Sequence, residues 1–323
     1  MGEPRPAPLE DLLDDPERLR AAVAAGMSVS LNPSGGSLGA IILRSRIARR
    51  WSATLQPHMI DTHCHLTFPD YAGRVPEVLA AALDAGVTGC ITISTTTRDC
   101  LDALAIAERF DNVWCTAGVH PLYSDKGPHQ WENIRRVARS PRCVAWGELG
   151  LDNHYDKPPR DVQRAVLDEQ LAFIESCRPE IDLPVEVHCR EAFDDLIPIL
   201  ARTRLQPDRF VFHCFTGTPA DARKILEFGA WISFTGVVTY KNAADVREAM
   251  RLVPIDRLMV ETDAPFLSPE PHRGVRPNEP KFAAVIARRI AEERGMAWPD
   301  FHAAINRNTV RFFGKMGRTA EQI

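Results

Sequence analysis

The chain has 323 residues, 45% hydrophobic and 25% charged, which is enough for one large domain and too polar for a membrane-embedded one. With 39 basic and 43 acidic residues the formal net charge is −4, so no broad basic footprint is on offer and any nucleic-acid partner must be held locally. No run of about 18 apolar residues occurs, which excludes a transmembrane helix of ordinary length.

Residues 1–57 differ in composition from the rest. They open acidic and proline-rich, pass through LNPSGGSLG, and end in the arginine-rich IILRSRIARRW. Asp15 is the expected cap of a helix over 16–25, and 32–36 reads as irregular. The early acidic residues do not fit a mitochondrial presequence, and the first ten are not a secretory n-region. The stretch reads as a loosely ordered extension, with Met59 as an alternative start. A nucleic-acid arm built on Arg44, Arg46, Arg49 and Arg50 is the sharper alternative.

From residue 58 a regular rhythm begins and runs to 316, leaving 317–323 as a tail. Strand-like runs fall at 58–62, 89–94, 113–117, 143–148, 184–188, 210–213, 230–234 and 258–261. Helix-like stretches fall at 75–85, 97–110, 160–177, 192–202, 219–227 and 242–252. The first has Pro76 in its first turn and stops at Gly86. Alternating strand and helix periods predict parallel strands with right-handed crossovers, and eight such units close into a barrel. PFLSPEPHRGVRPNEP follows the eighth strand as a loop over the barrel mouth, then helices over 280–294 and 299–313, stopped by Gly295 and Gly314.

Metal-binding side chains sit at the ends of these strands. Asp61, His63 and His65 lie in IDTHCHL, Glu148 in GELGLD, His188 in PVEVHCR, His213 in FVFHCF and Asp263 in VETDAP. Alternate side chains of a strand share a face, so His63 and His65 can reach one ion, and Asp61 shares their parity as a ligand or an orienting group. Glu148, followed by Gly150, reads as a strand-end carboxylate entering a tight loop, and its two oxygens suit it to bridge two ions. An open doubly wound sheet would leave ligands on the first and eighth strands far apart, whereas a barrel gathers them. The nitrogen and oxygen set suits magnesium, manganese or zinc. His63, His65, Glu148 and Asp263 are expected on one ion, and Glu148, His188 and His213 on the other. Two ions would activate a water, with Asp263 as its base. Arg190 can contact phosphate with two donors, and His120 in GVHP can bond a phosphate oxygen or protonate a leaving group. Arg273, Asn278 and Lys241 extend this set, against a bland reading of Arg190 as the ion-pair partner of Glu191 or Asp194. The eight cysteines have no CxxC spacing and mostly lie in apolar runs, which suits buried thiols and a reducing, cytoplasmic setting.

The ordered motifs IDTHCHL, AGVHP, GELGLDNHYD, PVEVHCREAFDD, FVFHCFTG, ISFTGVVTYK and VETDAPFLSPEPHRG–RPNEP resemble the TatD family of metal-dependent deoxyribonucleases over roughly 59–315. The resemblance implies a distorted TIM barrel of the amidohydrolase-like kind. It also implies two divalent ions, magnesium in many members, on His63, His65, Glu148, His188, His213 and Asp263. His120, Arg190, Arg273 and Asn278 fall in blocks that line such a substrate cleft. The implied activity is hydrolysis of DNA or RNA from the 3′ end, with single-stranded DNA or 3′ ends as partner; no membrane partner is expected, and the sequence leaves the oligomeric state open, a monomer included. Some relatives are similar to D-aminoacyl-tRNA deacylases, so an ester or amide hydrolase is the second class, and a non-catalytic nucleic-acid-binding barrel the third. A chain beginning at Met59 is expected to fold and to hydrolyse substrate. Comparing its thermal melting and turnover with those of the whole chain checks this, and loss of cooperative unfolding would mean that the extension packs on the barrel.

Overall fold

The computed structural model describes residues 59–317; the expectations for the N-terminal extension lie outside them. Eight parallel strands follow one another around the sheet in sequence order: β1 Met59–Cys64, β2 Val87–Thr92, β3 Val113–Ala117, β4 Cys143–Asp152, β5 Val185–Arg190, β6 Phe210–Phe212, β7 Trp231–Phe234 and β8 Leu258–Val260. Nine α-helices among the described residues cover the outside: α1 Val75–Asp84, α2 Asp99–Arg109, α3 Trp131–Ala138, α4 Arg160–Cys177, α5 Phe193–Leu200, α6 Pro219–Phe228, α7 Ala244–Leu252, α8 Ala283–Glu293 and α9 Trp298–Phe313. This is the (β/α)8 arrangement of a distorted TIM barrel. None of the described helices is long and apolar enough to cross a membrane.

Local sequence explains the element ends. Thr218 and Asp221 exchange side-chain and backbone hydrogen bonds as a capping box at the start of α6, and Gly229 ends it at φ 99°, where a side chain would be strained. Helix α3 has no counterpart in the sequence reading. It is eight residues long and buries only Ile134, Val137 and Ala138, too few positions to establish a 3.6-residue period. Inside the barrel, Ile91, Ile93, Val144, Val211 and Met259 form a separate apolar cluster with Phe312 and Phe313 from the end of α9. Each phenylalanine so buried stabilises the fold by about 1.5–3 kcal/mol.

The barrel is distorted at its seam. β8 is only three residues long, and beyond it the closure passes through a single bridge, Cys64 to Ala264. Two backbone bonds reinforce it, from the Asp263 N–H to the His63 carbonyl at 2.9 Å and from the His65 N–H to the Ala264 carbonyl at 2.7 Å. Asp61 completes the seam. Fully buried, it accepts from the Thr262 N–H at 2.9 Å, the Thr262 hydroxyl at 2.6 Å and the His63 N–H at 3.3 Å. Of the two roles read for Asp61, its acceptor oxygens are thus spent on orientation.

Register breaks occur where ligands are delivered. Asp61 pairs with Cys90 and Cys64 with Thr92, so β1 carries an extra residue beside His63. Trp146 pairs with Val185 and Leu149 with Val187, which puts another extra residue beside Glu148. A bulge of this kind re-aims a side chain without ending the strand. Glu148 therefore stands inside a ten-residue strand, not at the strand end that the sequence pattern suggested. Gly150 has φ 150°, and a Cβ there would lie 1.8 Å from the His188 carbonyl oxygen. Gly150→Ala is expected to cost about 2–4 kcal/mol of unfolding free energy in urea titrations, with Gly274→Ala, where the space is open, within about 0.5 kcal/mol of wild type.

Candidate metal centre

His63, His65, Glu148, His188, His213 and Asp263 come together toward the C-terminal side of the barrel, Glu148 from within β4 and the others from at or near their strand ends. One oxygen of Glu148, Oε1, lies 2.5 Å from His213 Nε2, 2.9 Å from His188 Nδ1 and 3.3 Å from His120 Nε2. Its other oxygen is 3.5 Å from His63 Nε2 and makes no hydrogen bond. Asp263 Oδ1 is 3.4 Å from His65 Nε2 and 3.5 Å from His63 Nε2. Asp263 holds φ 55°, an unusual backbone conformation for a side-chain-bearing residue and of the kind that concentrates at functional sites. Burial pushes the pKa of Glu148 up, but the imidazoles of His213, His120 and His63 and the bond to His188 outweigh it, and the carboxyl is held well below its usual range.

The donor set fits divalent cations. Groups such as His63, His65 and Glu148, or His63, His213 and Asp263, have ligand atoms within 4.8 Å of one another. Of the buried side-chain atoms without a hydrogen-bond partner among the described residues, Glu148 Oε2, His65 Nδ1 and His213 Nδ1 belong to this cluster. Such orphans are costly unless something positive occupies the site. The rings of His63 and His213 stack 3.9 Å apart, so His213 stands with His63 and Asp263 as well as with Glu148 and His188. The two sets read from the sequence are therefore closer to one continuous cluster.

Carboxylates that the sequence reading passed over stand behind the imidazoles. Glu186 Oε1 accepts from His63 Nδ1 at 2.6 Å, Asp152 Oδ2 from His188 Nε2 at 3.0 Å, and Glu261 Oε1 lies 3.4 Å from His213 Nδ1. Bonds of this type fix which ring nitrogen is free to bind a metal. Glu261 also accepts from the Cys214 N–H at 2.6 Å and the Ser233 hydroxyl at 2.6 Å. A signal was present: Glu186 and Glu261 each interrupt an apolar strand two residues before a ligand, and a buried carboxylate needs partners. From α4, two buried glutamines a full two turns apart grip the neighbouring backbone. Gln163 bonds both the N–H and the carbonyl of Asp152, at 2.9 and 3.0 Å, and Gln170 does the same to Val119, at 2.8 and 3.2 Å.

His120 is placed beside the cluster but is set up differently. Its Nδ1 accepts from the Leu122 N–H at 2.9 Å, so the neutral ring carries its proton on Nε2, the nitrogen facing Glu148 and His188. Burial lowers its pKa to about 3, which keeps the ring neutral. His120 also lies within reach of an ion shared with Glu148 and His188, but with Nδ1 accepting from Leu122 its Nε2 carries the proton and is set up as a donor.

The remaining expected residues separate. Arg190 pairs with neither acid proposed for it: Glu191 bonds His154 and Asp194 bonds Lys224. Its guanidinium instead lies 5.1 Å from the Tyr155 ring centre and 3.4 Å from the Tyr155 hydroxyl. It borders a cleft of about 600 Å³ that includes Phe193, Thr216 and Asn242 and lies beside the ligand cluster, not over it. Arg273 is exposed and stacks 4.1 Å from Tyr240, and Lys241 is exposed with its side chain making no polar contact among the described residues. Asn278 departs from its expected role as a substrate contact. It is fully buried, its amide donating to the carbonyls of Thr262 and Phe266 and accepting from the Glu279 N–H, so it ties down the loop that carries Asp263. All eight cysteines are free, and all but Cys214 are buried.

Three comparisons place this geometry among known proteins. The family model described as TatD related DNase matches residues 60–314. The chain is 38% identical over 260 residues to an uncharacterized metal-dependent hydrolase of Escherichia coli K12, YcfH, covering 79% of this chain and 95% of that one. It is also 38% identical over 242 residues to the 3′-5′ ssDNA/RNA exonuclease TatD of Enterobacter lignolyticus, covering 73% and 92%. Among solved structures, the TatD homolog YJJV of Escherichia coli K12 superimposes with a TM-score of 0.73 at 32% identity, over 79% of this chain and 98% of that one. Glu148→Gln is expected to keep the fold but lose metal affinity and turnover, and Glu186→Gln to weaken metal binding about 10- to 100-fold. Calorimetric metal titration with circular dichroism of each variant checks both, and unchanged affinity would remove the residue from the site.

Proposed function

The chain belongs to the family of TatD-related DNases, and from that premise we propose that it is a metal-dependent hydrolase that cleaves phosphodiester bonds of nucleic acid from the 3′ end. The observation that carries the reading is Glu148, buried to 1% exposure with imidazoles on one oxygen and no bonded partner on the other. Such a carboxylate suits a bridge between two cations. His63, His65 and Asp263 would hold one and His188 and His213 the other. Divalent cations bound there, magnesium first with manganese or zinc as alternatives, supply Lewis-acid chemistry: they acidify water and neutralise charge on a phosphate.

The chain's own residues supply the rest. Asp263, with a side chain 15% exposed against 1% for Glu148, is the carboxylate open enough to accept a proton from attacking water. His120 Nε2–H donates to a phosphate oxygen or to the leaving oxygen, and Gln170 holds it there by gripping Val119. Arg190, free of the neighbouring acids, presents a two-pronged donor to phosphate, and Lys241 and Arg273 extend the positive side of the mouth. Free thiols fit a reducing, cytoplasmic setting for this activity.

Metal-loaded protein given 3′- or 5′-labelled single-stranded DNA, RNA and D-aminoacyl-tRNA tests the assignment. Stepwise loss of label from the 3′ end is expected, and deacylation alone would overturn it. His120→Ala is expected to lower kcat about 10²- to 10⁴-fold with metal content unchanged, since a donor and not a ligand is removed. Arg190→Ala is expected to raise KM for an oligonucleotide and to reduce the slope of affinity against salt by about one phosphate contact. Unaltered salt dependence would return Arg190 to a structural role.

A further inference from the structure

Two large aromatic side chains stand exposed on loops at the mouth, Tyr155 after β4 at 48% and Phe266 after β8 at 42%. Strands four apart in a closed eight-stranded sheet lie on opposite sides of the barrel axis, so the two loops that carry these rings leave the barrel on opposite sides of its mouth. Neither ring is loosely held. The Phe266 N–H donates to the Asp263 carbonyl at 2.9 Å, and its own carbonyl accepts from the Asn278 amide. Its ring stands edge-on to Phe68 at 5.9 Å, and Phe68 in turn stacks on His65 at 4.7 Å. On the other side, the Tyr155 N–H donates at 3.2 Å to Asp152, the same carboxylate that orients His188. The Arg190 guanidinium lies 5.1 Å from the Tyr155 ring. The backbone that carries each exposed ring is thus bonded to segments that also fix candidate metal ligands.

We propose that these are two base-stacking stations, Phe266 with Phe68 on one side and Tyr155 with Arg190 on the other, for an unpaired strand that crosses the mouth with its scissile phosphate over the cluster. The proposal rests on the nuclease reading and names the residues that select its substrate. Every base has a π-face, so stacking on a ring is tolerant of sequence, while bases within a duplex are already stacked and cannot reach a protein ring without being unpaired. Arg190 serves twice, lying over Tyr155 and offering donors to the adjacent phosphate. Because the backbone that carries each ring is already hydrogen-bonded, the loops need little ordering when a base arrives.

The test uses full-length protein loaded with magnesium or manganese and initial rates on oligothymidylate, intact or with one abasic residue at each of the positions nearest the 3′ end. Phe266→Ala and Tyr155→Ala are each expected to raise KM roughly 5- to 100-fold, the size of one lost base stack. Melting temperature and metal content should stay as in wild type, because both rings are exposed. Phe266→Trp and Tyr155→Phe should restore KM. One abasic position should raise KM in the wild type and give no further rise in the matching variant. Unchanged KM in both alanine variants with normal turnover, or abasic and protein penalties that simply multiply, would overturn the stations and leave the nuclease reading standing. Hydrolysis of D-aminoacyl-tRNA with no turnover of any oligonucleotide would overturn that reading and the stations with it.

Discussion

Burying a carboxylate at 1% exposure is costly unless positive charge or hydrogen bonds meet it, and Glu148 sits at that cost in the centre of the barrel mouth. Three imidazoles converge on one of its oxygens and none bonds the other. The groups around it do not cancel one another by themselves: Asp263, Glu186, Glu261 and Asp152 add carboxyls, and burial together with the neighbouring Glu261 drives the Glu186 carboxyl well above its ordinary range. Divalent cations held by this cluster would resolve the imbalance. The same centre that would be a liability in an empty core becomes, with cations, a place where water and phosphate can react.

Much of the fold is explained by the need to hold that centre in shape. Strand register is broken once beside His63 and once beside Glu148, turning both inward without ending their strands. The barrel closes through a bridge beyond β8 and through Asp61, so its weakest seam lies next to Asp263 and is reinforced by three hydrogen bonds to one carboxylate. At the opposite, N-terminal face the end of α9 packs Phe312 and Phe313 among inward-facing strand residues. An apolar layer thereby fills that end of the barrel, and the other end of the same strands is left free for polar chemistry.

Positioning is layered. Glu186 and Asp152 bond the far sides of His63 and His188, and Gln163 grips Asp152 from α4. Gln170, on the same helix face, grips Val119 and so sets His120. A side-chain amide that bonds both the N–H and the carbonyl of one residue restrains the two peptide units that flank it. In the nuclease reading one helix therefore orients two opposite functions: a ligand, through Asp152, and a proton donor, through Val119.

Alternating periods, the eightfold rhythm and candidate ligands were legible in the chain, because a parallel strand buried on both faces is an apolar run that a histidine or an acid interrupts, although Glu148 proved to lie inside its strand and not at the end. His63, His65, Glu148, His188, His213 and Asp263 were identifiable on that ground, and the barrel followed from the need to gather them. Helix α3 was not legible, since three buried positions in eight residues make no period. Asn278 could be read as a substrate contact only because burial is invisible in a sequence; the fold turns its amide toward the carbonyls of Thr262 and Phe266. Tertiary structure alone decided which carboxylate meets which imidazole, which nitrogen of His120 keeps its proton, and that Arg190 turns to Tyr155 instead of to its acidic neighbours. Those outcomes depend on distances of about 3 Å between residues tens to hundreds of positions apart, and a linear spacing carries the side-chain type but not the register, bulge or closure that brings two of them within hydrogen-bond reach.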